Sequence, residues 1–539
     1  MTGATTTDGP HAEEQASWVP MICIALGQAI MSFNVASLPV ALGGMVQSFG
    51  VPPTTVATGI VAYSMIVAGF VMLGAKLVQR SGALRVFRLA VVVFCVSQVM
   101  MTFSPNATIM ITAQAVCGAA GAVIVPALVA LIAENYRGAQ QATALGALGS
   151  ARAGAGVAAF LIGGVLGTYI GWRPVFGILI AVSALVLFLS FRLRPDQGRP
   201  DVRIDFVGVA LAASAIVLIS FGFNNLNRWG LGIAQPGAPF TLLGLSPAPV
   251  MIVIGLVLGQ GFLRWTRRRE ASGETPLLPL SVLESPAERA AVYAMFSVVA
   301  LEAALNFSVP LYIQIVQGRT PMATAVAMLP FNLTVFFAAM VIVRFYDRFT
   351  PRQIGRFGFV LCTVALLWLA LVVRNDWSSI PVLLGLVVFG IGQGSLVTLL
   401  FNVLVTASPK ELAGDVGSLR GTTNNLAAAV GTAVAGALLV GLLSSAVMRR
   451  VAENPVLPPA IQAQVDLDSI TFVSNDHLAG VIARTDASPE QKAEALRVNT
   501  EARLQALKIG LLLMAGLALL AILPAGRLPG YRPGEIPEP

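Results

Sequence analysis

The sequence predicts an all-α polytopic membrane protein with about fourteen transmembrane helices. Composition is the first reason: 56% of the 539 residues are hydrophobic and 11% are charged, whereas about a quarter of a soluble globular chain is charged. The second reason is that apolar stretches of about 20 residues, the length that crosses a bilayer, recur along the chain. A net charge of +8 in such a chain indicates topology signals in loops, not a nucleic-acid partner.

Each predicted helix is a stretch that is long and apolar enough to span the bilayer. In chain order these are 18–45, 55–76, 86–103, 108–133, 142–168, 174–193, 204–224, 248–266, 290–314, 321–343, 356–374, 379–405, 414–446 and 506–525. The longest connection is 447–505. Its charged tract from Glu490 to Arg503 predicts a solvated helix packed over the exit or, as the alternative, a lid that gates the substrate.

Basic residues in the loops predict the orientation. Four loops on one side carry four Lys or Arg residues each, whereas the short loops on the opposite side hold at most one; the basic loops lie within 76–88, 192–203, 264–269 and 344–356. By the positive-inside rule these loops are cytoplasmic, and so are both termini. We therefore expect a multi-pass protein of the plasma membrane.

The predicted spans divide the chain into five parts. We expect a cytoplasmic N-terminal tail, a first six-helix bundle, a linker with two extra transmembrane helices, a second six-helix bundle that includes the extracytoplasmic loop 447–505, and a cytoplasmic C-terminal tail. The corresponding ranges are 1–17, 18–193, 194–288, 289–525 and 526–539.

Residues for redox, metal or nucleotide chemistry are sparse. The four cysteines lie inside apolar spans without metal-ligand spacing, which is typical of helix packing, and the two histidines lie in the N-terminal tail and in a loop. No phosphate-binding loop with its lysine is present, so transport driven by ATP is excluded. We expect no cofactor, no metal and no enzymatic activity.

Two arginines occupy matching positions in the two halves of the chain. The segments Gly149-Ser150-Ala151-Arg152 and Gly417-Ser418-Leu419-Arg420 each precede a long apolar stretch rich in glycine and alanine. A charged side chain within the membrane is costly and usually marks a pathway or a site, and arginine can grip an anion with a forked pair of hydrogen bonds. Arg152 and Arg420 are therefore candidate substrate-binding residues. Alternatively they extend to the interface, bind loop carbonyls or neutralise Glu302 and Glu134.

Glu302 is the one acidic residue well inside a predicted span, which makes it the candidate for proton coupling. A structural ion pair or a hydrogen bond to a neighbouring helix is the alternative. Among the neutral polar residues, Asn34, Asn424 and Asn425 are the preferred cavity candidates, the last two because they lie one turn beyond Arg420.

Several segments resemble motifs of one transporter family. The loop after the second span reads Ala75-Lys76-Leu77-Val78-Gln79-Arg80-Ser81-Gly82, and the loop after the tenth reads Arg344-Phe345-Tyr346-Asp347-Arg348. Both are similar to the G-x-L-a-D-R-x-G signature of the major facilitator superfamily, in particular its fourteen-span drug:proton antiporter group (EmrB/QacA-like). The resemblance, over about residues 20–525, implies the major facilitator fold, with two six-helix bundles plus two extra central helices. It also places Arg80, Gly82, Asp347 and Arg348 in a gating loop motif.

The antiporter motifs of that group are degenerate in this chain. Asn34 stands where the group usually has an aspartate, Gln79 replaces the aspartate of the first loop motif, and Gln114 replaces an arginine. Arg152 occupies a place where relatives usually carry a small residue. The resemblance therefore implies the fold more strongly than it implies proton-coupled drug export.

We expect a secondary active membrane transporter that exports an anionic or amphiphilic small molecule or lipid. Protons are a candidate coupling partner, the bilayer is the surrounding medium, and the protein is expected to act as a monomer. Two alternatives stay open: a multidrug:proton antiporter that uses Glu302, and a membrane scaffold or sensor that keeps the fold without transporting.

Overall fold

The computed structural model describes residues 17–136, 138–193, 197–241, 243–346, 348–374, 379–407, 413–452 and 488–530. Within these residues fourteen helices are long and apolar enough to cross a membrane, which confirms the predicted all-α fold. In chain order they are α1 Val19–Phe49, α2 Pro53–Ser81, α3 Ala83–Thr102, α4 Ala107–Asn135, α5 Gly138–Tyr169, α6 Arg173–Ser190, α7 Phe206–Trp229, α8 Pro247–Ala271, α9 Pro286–Leu311, α10 Pro321–Ile342, α11 Pro351–Val372, α12 Ile380–Ala407, α13 Ala413–Ala452 and α14 Pro489–Leu520.

A Ser-Pro or Thr-Pro pair begins five of these helices. In each pair the hydroxyl accepts a hydrogen bond from a first-turn backbone N–H, and the following proline has no N–H that would be left without a partner; the capping residues are Ser246, Ser285, Thr320, Thr350 and Ser488. Three of the caps are completed by a Glu or Gln three residues later, which bonds back to the cap backbone.

The helices pack as two similar groups. Within α1–α6, α2 packs on α4, α1 on α5, and α3 on both α4 and α6. Within α9–α14 the corresponding pairs recur: α10 packs on α12, α9 on α13, and α11 on both α12 and α14. This is the pattern of an internal structural repeat, in which shared sites lie between the repeats. The remaining helices, α7 and α8, pack on each other, and α7 also lies against α2 and α13.

Close helix contacts depend on glycines at specific positions. A Cβ added to Gly74 would meet the backbone carbonyl of Ala122, which joins α2 to α4, and one added to Gly431 would meet the backbone carbonyl of Ala300, which joins α13 to α9. Small residues at such crossings let helix backbones approach closely, and in lipid this packing drives helix association.

The largest difference from the predicted helix boundaries is at α14. This helix begins at Pro489, so the charged tract is the first part of a long continuous helix and not a separate element above the membrane. Its exposed face carries ion pairs between Arg497 and both Glu494 and Glu501, at 2.6 and 2.9 Å. The rest of the predicted loop, 453–487, lies outside the described residues.

Candidate substrate cavity and its gate

One face of α5 changes along its length from open space to close contact. A Cβ added to Gly149, Gly154 or Gly156 would meet no described atom within 4 Å. Near the other end of α5, a Cβ on Gly164 would meet Ala325 and Met322 of α10. Helices α5 and α10 therefore touch at one end of α5, which we call the closed end, whereas the first half of α5 has open space beside it at the other end, the open end.

Hydrogen bonds join the two groups of helices at the closed end. The backbone N–H of Met322 donates to the Thr168 hydroxyl at 3.0 Å, which links α10 to α5. The side chain of Gln314, in a π-helical turn Tyr312–Val316 after α9, bonds to α1. These contacts hold α1 against the turn that follows α9, and the end of α5 against the start of α10.

On the opposite side of the molecule α2 and α13 stay in contact. Near the open end Lys76 and Asp415 form an ion pair at 3.4 Å, and further along the Thr422 hydroxyl donates to the carbonyl of Ala68 at 3.3 Å. Helix α7 packs on both α2 and α13. The two groups of helices therefore stay in contact through α2 and α13, and the open space lies on the opposite side, beside the first half of α5.

Arg152 lies on the open face of α5. Its side chain is exposed and, among the described residues, has no hydrogen bond or ion pair. It interacts electrostatically with Glu302 of α9, with Arg420 of α13 and with Tyr63 of α2. The structure therefore brings together three residues that the sequence singled out, Arg152, Arg420 and Glu302, from three different helices.

Arg420 is oriented by an aromatic ring. Its guanidinium carbon lies 3.7 Å from the centroid of the Phe401 ring of α12, a cation–π contact that fixes the plane of the charged group. The side chain is half-buried. Because Arg152 and Arg420 are like charges that interact, an anion between them would relieve a repulsion that each exerts on the other.

Glu302 is set among helices without a direct partner. It is half-buried and, among the described residues, forms no hydrogen bond or ion pair. One turn further along α9, the side-chain oxygen of Asn306 is buried and also lacks a hydrogen bond. The two polar groups share one helix face because they are four residues apart. A carboxylate so placed can bind a proton or a cation, and its role in coupling stays a prediction.

The asparagines predicted for the cavity lie in different surroundings. Asn34 is fully buried and pairs with Gln114: the Asn34 amide donates to Gln114 at 3.1 Å, and the Gln114 amide donates back at 3.3 Å. Asn425 donates to the carbonyl of Gly421 in its own helix at 2.9 Å, while the side-chain oxygen of Asn424 is buried and has no hydrogen-bond partner within the described part of the chain. Asn424 is the better placed of the three for a ligand.

The structure describes three of the four residues of the gating loop motif. Arg80 is exposed at the end of α2, and Gly82 has φ 88°, a conformation that favours glycine and separates α2 from α3. Asp347 lies outside the described residues, and Arg348 is exposed next to it.

Four contacts near the cavity were not predicted from the sequence. Tyr63 and Phe401 are aromatic residues in apolar spans and carry no local signal. Gln314 was one of many neutral polar residues. Only the contact of Asp415 had a signal in the sequence: an acidic residue at the start of a span and Lys76 in the loop motif are residues of opposite charge that could have been paired.

Comparison with known proteins gives the family. The profile of the Major Facilitator Superfamily matches residues 24–432. The probable actinorhodin transporter of Streptomyces coelicolor and the tetracenomycin C resistance and export protein of Streptomyces glaucescens are each 28% identical, over 71% and 70% of this chain. The multidrug efflux pump LfrA of Mycolicibacterium smegmatis is 24% identical over 71% of the chain. The matches span 66% of the length of each Streptomyces protein, just under two thirds, and 73% of LfrA.

Solved structures of transporters share the fold. A bacterial homologue of the human lysosomal transporter Spinster, in an inward-facing and occupied conformation, superposes with a TM-score of 0.61 at 14% identity, over 93% of this chain and 96% of that one. A POT peptide transporter in complex with sulfate gives 0.59 at 14% identity, over 95% and 96%. The chain belongs to the Major Facilitator Superfamily and is a secondary active membrane transporter, not an enzyme.

Proposed function

We propose that the protein exports an anionic or amphiphilic small molecule or lipid, with Arg152 and Arg420 as the binding residues. The observation that carries the proposal is the convergence of these two arginines, from α5 and α13, on one space that is open at one end. Together with Glu302 they give the site a formal charge of +1. Positive potential in a low-dielectric cleft concentrates anions and disfavours cations.

The arginines suit an anion better than they suit a structural role. Arginine keeps its proton, so the site is a fixed positive charge. Arg152 has no hydrogen bond or ion pair among the described residues, so its fork of N–H donors is available to a carboxylate, phosphate or sulfate. The Phe401 ring beside Arg420 adds an apolar surface for the uncharged part of an amphiphile.

Glu302 provides the coupling in this proposal. When the carboxylate is ionised it attracts Arg152, and when it binds a proton that attraction ends. Proton and cargo then act on the same arginine, which links the two binding events thermodynamically. The Asn34–Gln114 pair consists of two neutral amides that do not titrate, so in this proposal the coupling proton binds to Glu302 of α9.

The orientation follows from the loops. The basic segments 76–88 and 344–356 lie at the open end, which is therefore cytoplasmic by the positive-inside rule, as are both termini. The cavity then receives cargo from the cytoplasm of a plasma-membrane protein, and the relatives named for export and efflux favour the outward direction. Fourteen helices favour the fourteen-span group, and we propose that the protein acts as a monomer.

Replacement by lysine is the sharpest test of the binding residues. Arg152→Lys and Arg420→Lys keep the charge and remove the fork, so we expect each to weaken binding of the anion decanoate at least tenfold. Arg173→Lys is the matched control, because that guanidinium bonds to Ser48 and Ser104 at the closed end. If both cavity variants bind decanoate like the wild type, forked recognition is excluded.

A second candidate, a multidrug:proton antiporter that uses Glu302 alone, is favoured by the unpaired carboxylate. It predicts transport of the cation ethidium that survives arginine replacement and loses its dependence on the pH gradient in Glu302→Gln. In both candidates Glu302→Gln in proteoliposomes should uncouple transport from the pH gradient. Transport that stays fully dependent on the gradient would remove Glu302 from coupling.

A further inference from the structure

Gln314 inserts its side-chain amide into the backbone of a helix in the other half of the molecule. Its Oε1 accepts a hydrogen bond from the Gly43 N–H at 2.7 Å, and its Nε2 donates to the Pro39 carbonyl at 3.0 Å. Pro39 and Gly43 belong to α1, whereas Gln314 follows α9. One side chain therefore makes two hydrogen bonds across the closed end, and it is 4% exposed.

The two backbone groups that Gln314 bonds are a matched pair. In an uninterrupted α-helix the carbonyl of residue i accepts from the N–H of residue i+4, so the Pro39 carbonyl and the Gly43 N–H are the groups that would otherwise bond to each other. A primary amide presents one donor and one acceptor side by side, which fits between such a pair. In the bridged state all four groups have a partner.

The local sequence makes room for the bridge. A Cβ added to Gly43 would lie 2.7 Å from Oε1 of Gln314 and 3.0 Å from its Cβ, so only glycine admits the side chain. On the side of α9, Gln314 lies in the π-helical turn Tyr312–Val316 that follows Pro310. Such turns shift side chains relative to their positions in a regular helix.

We propose that Gln314 is the positioning residue that latches the closed end of the cavity during transport. When the two halves separate there, Gln314 withdraws, and the Pro39 carbonyl and Gly43 N–H bond to each other as in a regular helix. No backbone group is then left unpaired within the membrane, where each such group is costly. The latch is therefore reversible without breaking α1.

This latch is independent of the cargo. Its partners lie at the closed end, and the proposed anion site is formed by Arg152 and Arg420. The α5–α10 contact through Thr168 and Met322 also holds the closed end, so loss of Gln314 should shift the balance between closed and open states and not abolish folding. A tenfold shift corresponds to about 1.4 kcal/mol, a typical size for two lost hydrogen bonds.

Distances between spin labels measure this balance directly. In a background with the four cysteines replaced, one pair of labels at Gln47 and Arg319 spans the closed end, and a second at Arg85 and Arg344 spans the open end; all four residues are exposed. We expect Gln314→Leu to raise the population of longer distances across the closed end about tenfold and to shorten those across the open end.

Two further variants make the test decisive. Gly43→Ala removes the same bridge from the α1 side and should shift the distances in the same direction, which keeps the proposal testable if Gln314→Leu does not fold. Asn332→Leu is the matched control, because among the described residues the Asn332 amide bonds only to the carbonyl of Met328 in its own helix, at 2.9 Å. The proposal is overturned if folded Gln314→Leu or Gly43→Ala gives the wild-type distance distribution, or if Asn332→Leu shifts it equally.

Discussion

The Asn34–Gln114 pair offers a sharp test of which buried amides hold the helices and which serve the cargo. Both side chains are fully buried and exchange two hydrogen bonds between α1 and α4, at 3.1 and 3.3 Å. Asn34→Leu and Gln114→Met keep the approximate shape of each side chain and remove its polar atoms. A single replacement leaves two polar groups of the partner without hydrogen bonds in a site that water does not reach.

The expected magnitude follows from these two bonds. An orphaned buried group costs about 1–3 kcal/mol, so either single variant should lose about 2–6 kcal/mol of unfolding free energy, whereas replacing both partners can be nearly neutral. A lower bound is the average interhelical hydrogen bond in membranes, about 0.6 kcal/mol, or about 1.2 kcal/mol for two bonds. The double variant should therefore be more stable than the sum of the single variants predicts, by at least about 1 kcal/mol.

The assay is a double-mutant cycle on purified protein, with unfolding followed by denaturant titration. Ligand binding by the folded double variant is the second readout. A structural pair predicts strong coupling in stability and unchanged affinity for decanoate. Effects that add within about 0.5 kcal/mol would refute the coupling. Loss of decanoate binding in a stable double variant would instead return Asn34 to the substrate site predicted from the sequence.

Two other predictions concern contacts between helices. Gly431→Ala should destabilise the protein by about 1–3 kcal/mol, because its Cβ would meet a backbone carbonyl of α9. Gly516→Ala in α14 should instead stabilise the protein by up to about 1 kcal/mol, because a Cβ at Gly516 would lie in open space. Thermal unfolding of the two variants compares these effects. Lys76→Ala should destabilise the protein by about 1–3 kcal/mol, because Lys76 and Asp415 keep only 14% and 17% exposure and the partner charge is left largely buried; Asp415→Ala should have a similar effect. Equal effects of the two glycine variants, or no measurable effect of Lys76→Ala, would contradict these contacts.

The fold could be predicted from the sequence because hydropathy and loop charge act over long stretches. All fourteen spans have a counterpart in the structure, since a bilayer requires about 20 apolar residues for each. The start of α14 was placed too late because a hydropathy window sees only the apolar part of a helix. The sequence does carry a helix-start signal at this point: Ser488 and Gln491 form a capping box, and Pro489 occupies the first position of the helix.

The candidate site could be predicted only where the repeat carried it. Arg152 and Arg420 stand at matching places of two similar halves, so their approach in space follows from the internal symmetry. The partner of Asn34 depends on how α1 and α4 are rotated about their axes, which one sequence does not specify. The same applies to Gln314, whose partners are backbone groups; the glycine that admits its side chain, Gly43, is one of many glycines in the spans.

The central claim, an anion site formed by Arg152 and Arg420, is tested most directly by ligand-induced thermal stabilisation. Purified wild type and the Arg152→Ala/Arg420→Ala variant are heated with three ten-carbon amphiphiles: decanoate, decanol and decyltrimethylammonium. We predict that decanoate raises the melting temperature of the wild type and that the double variant does not respond to it. Stabilisation of both proteins by decyltrimethylammonium, with no response to decanoate, would contradict the anion site and make the two arginines structural.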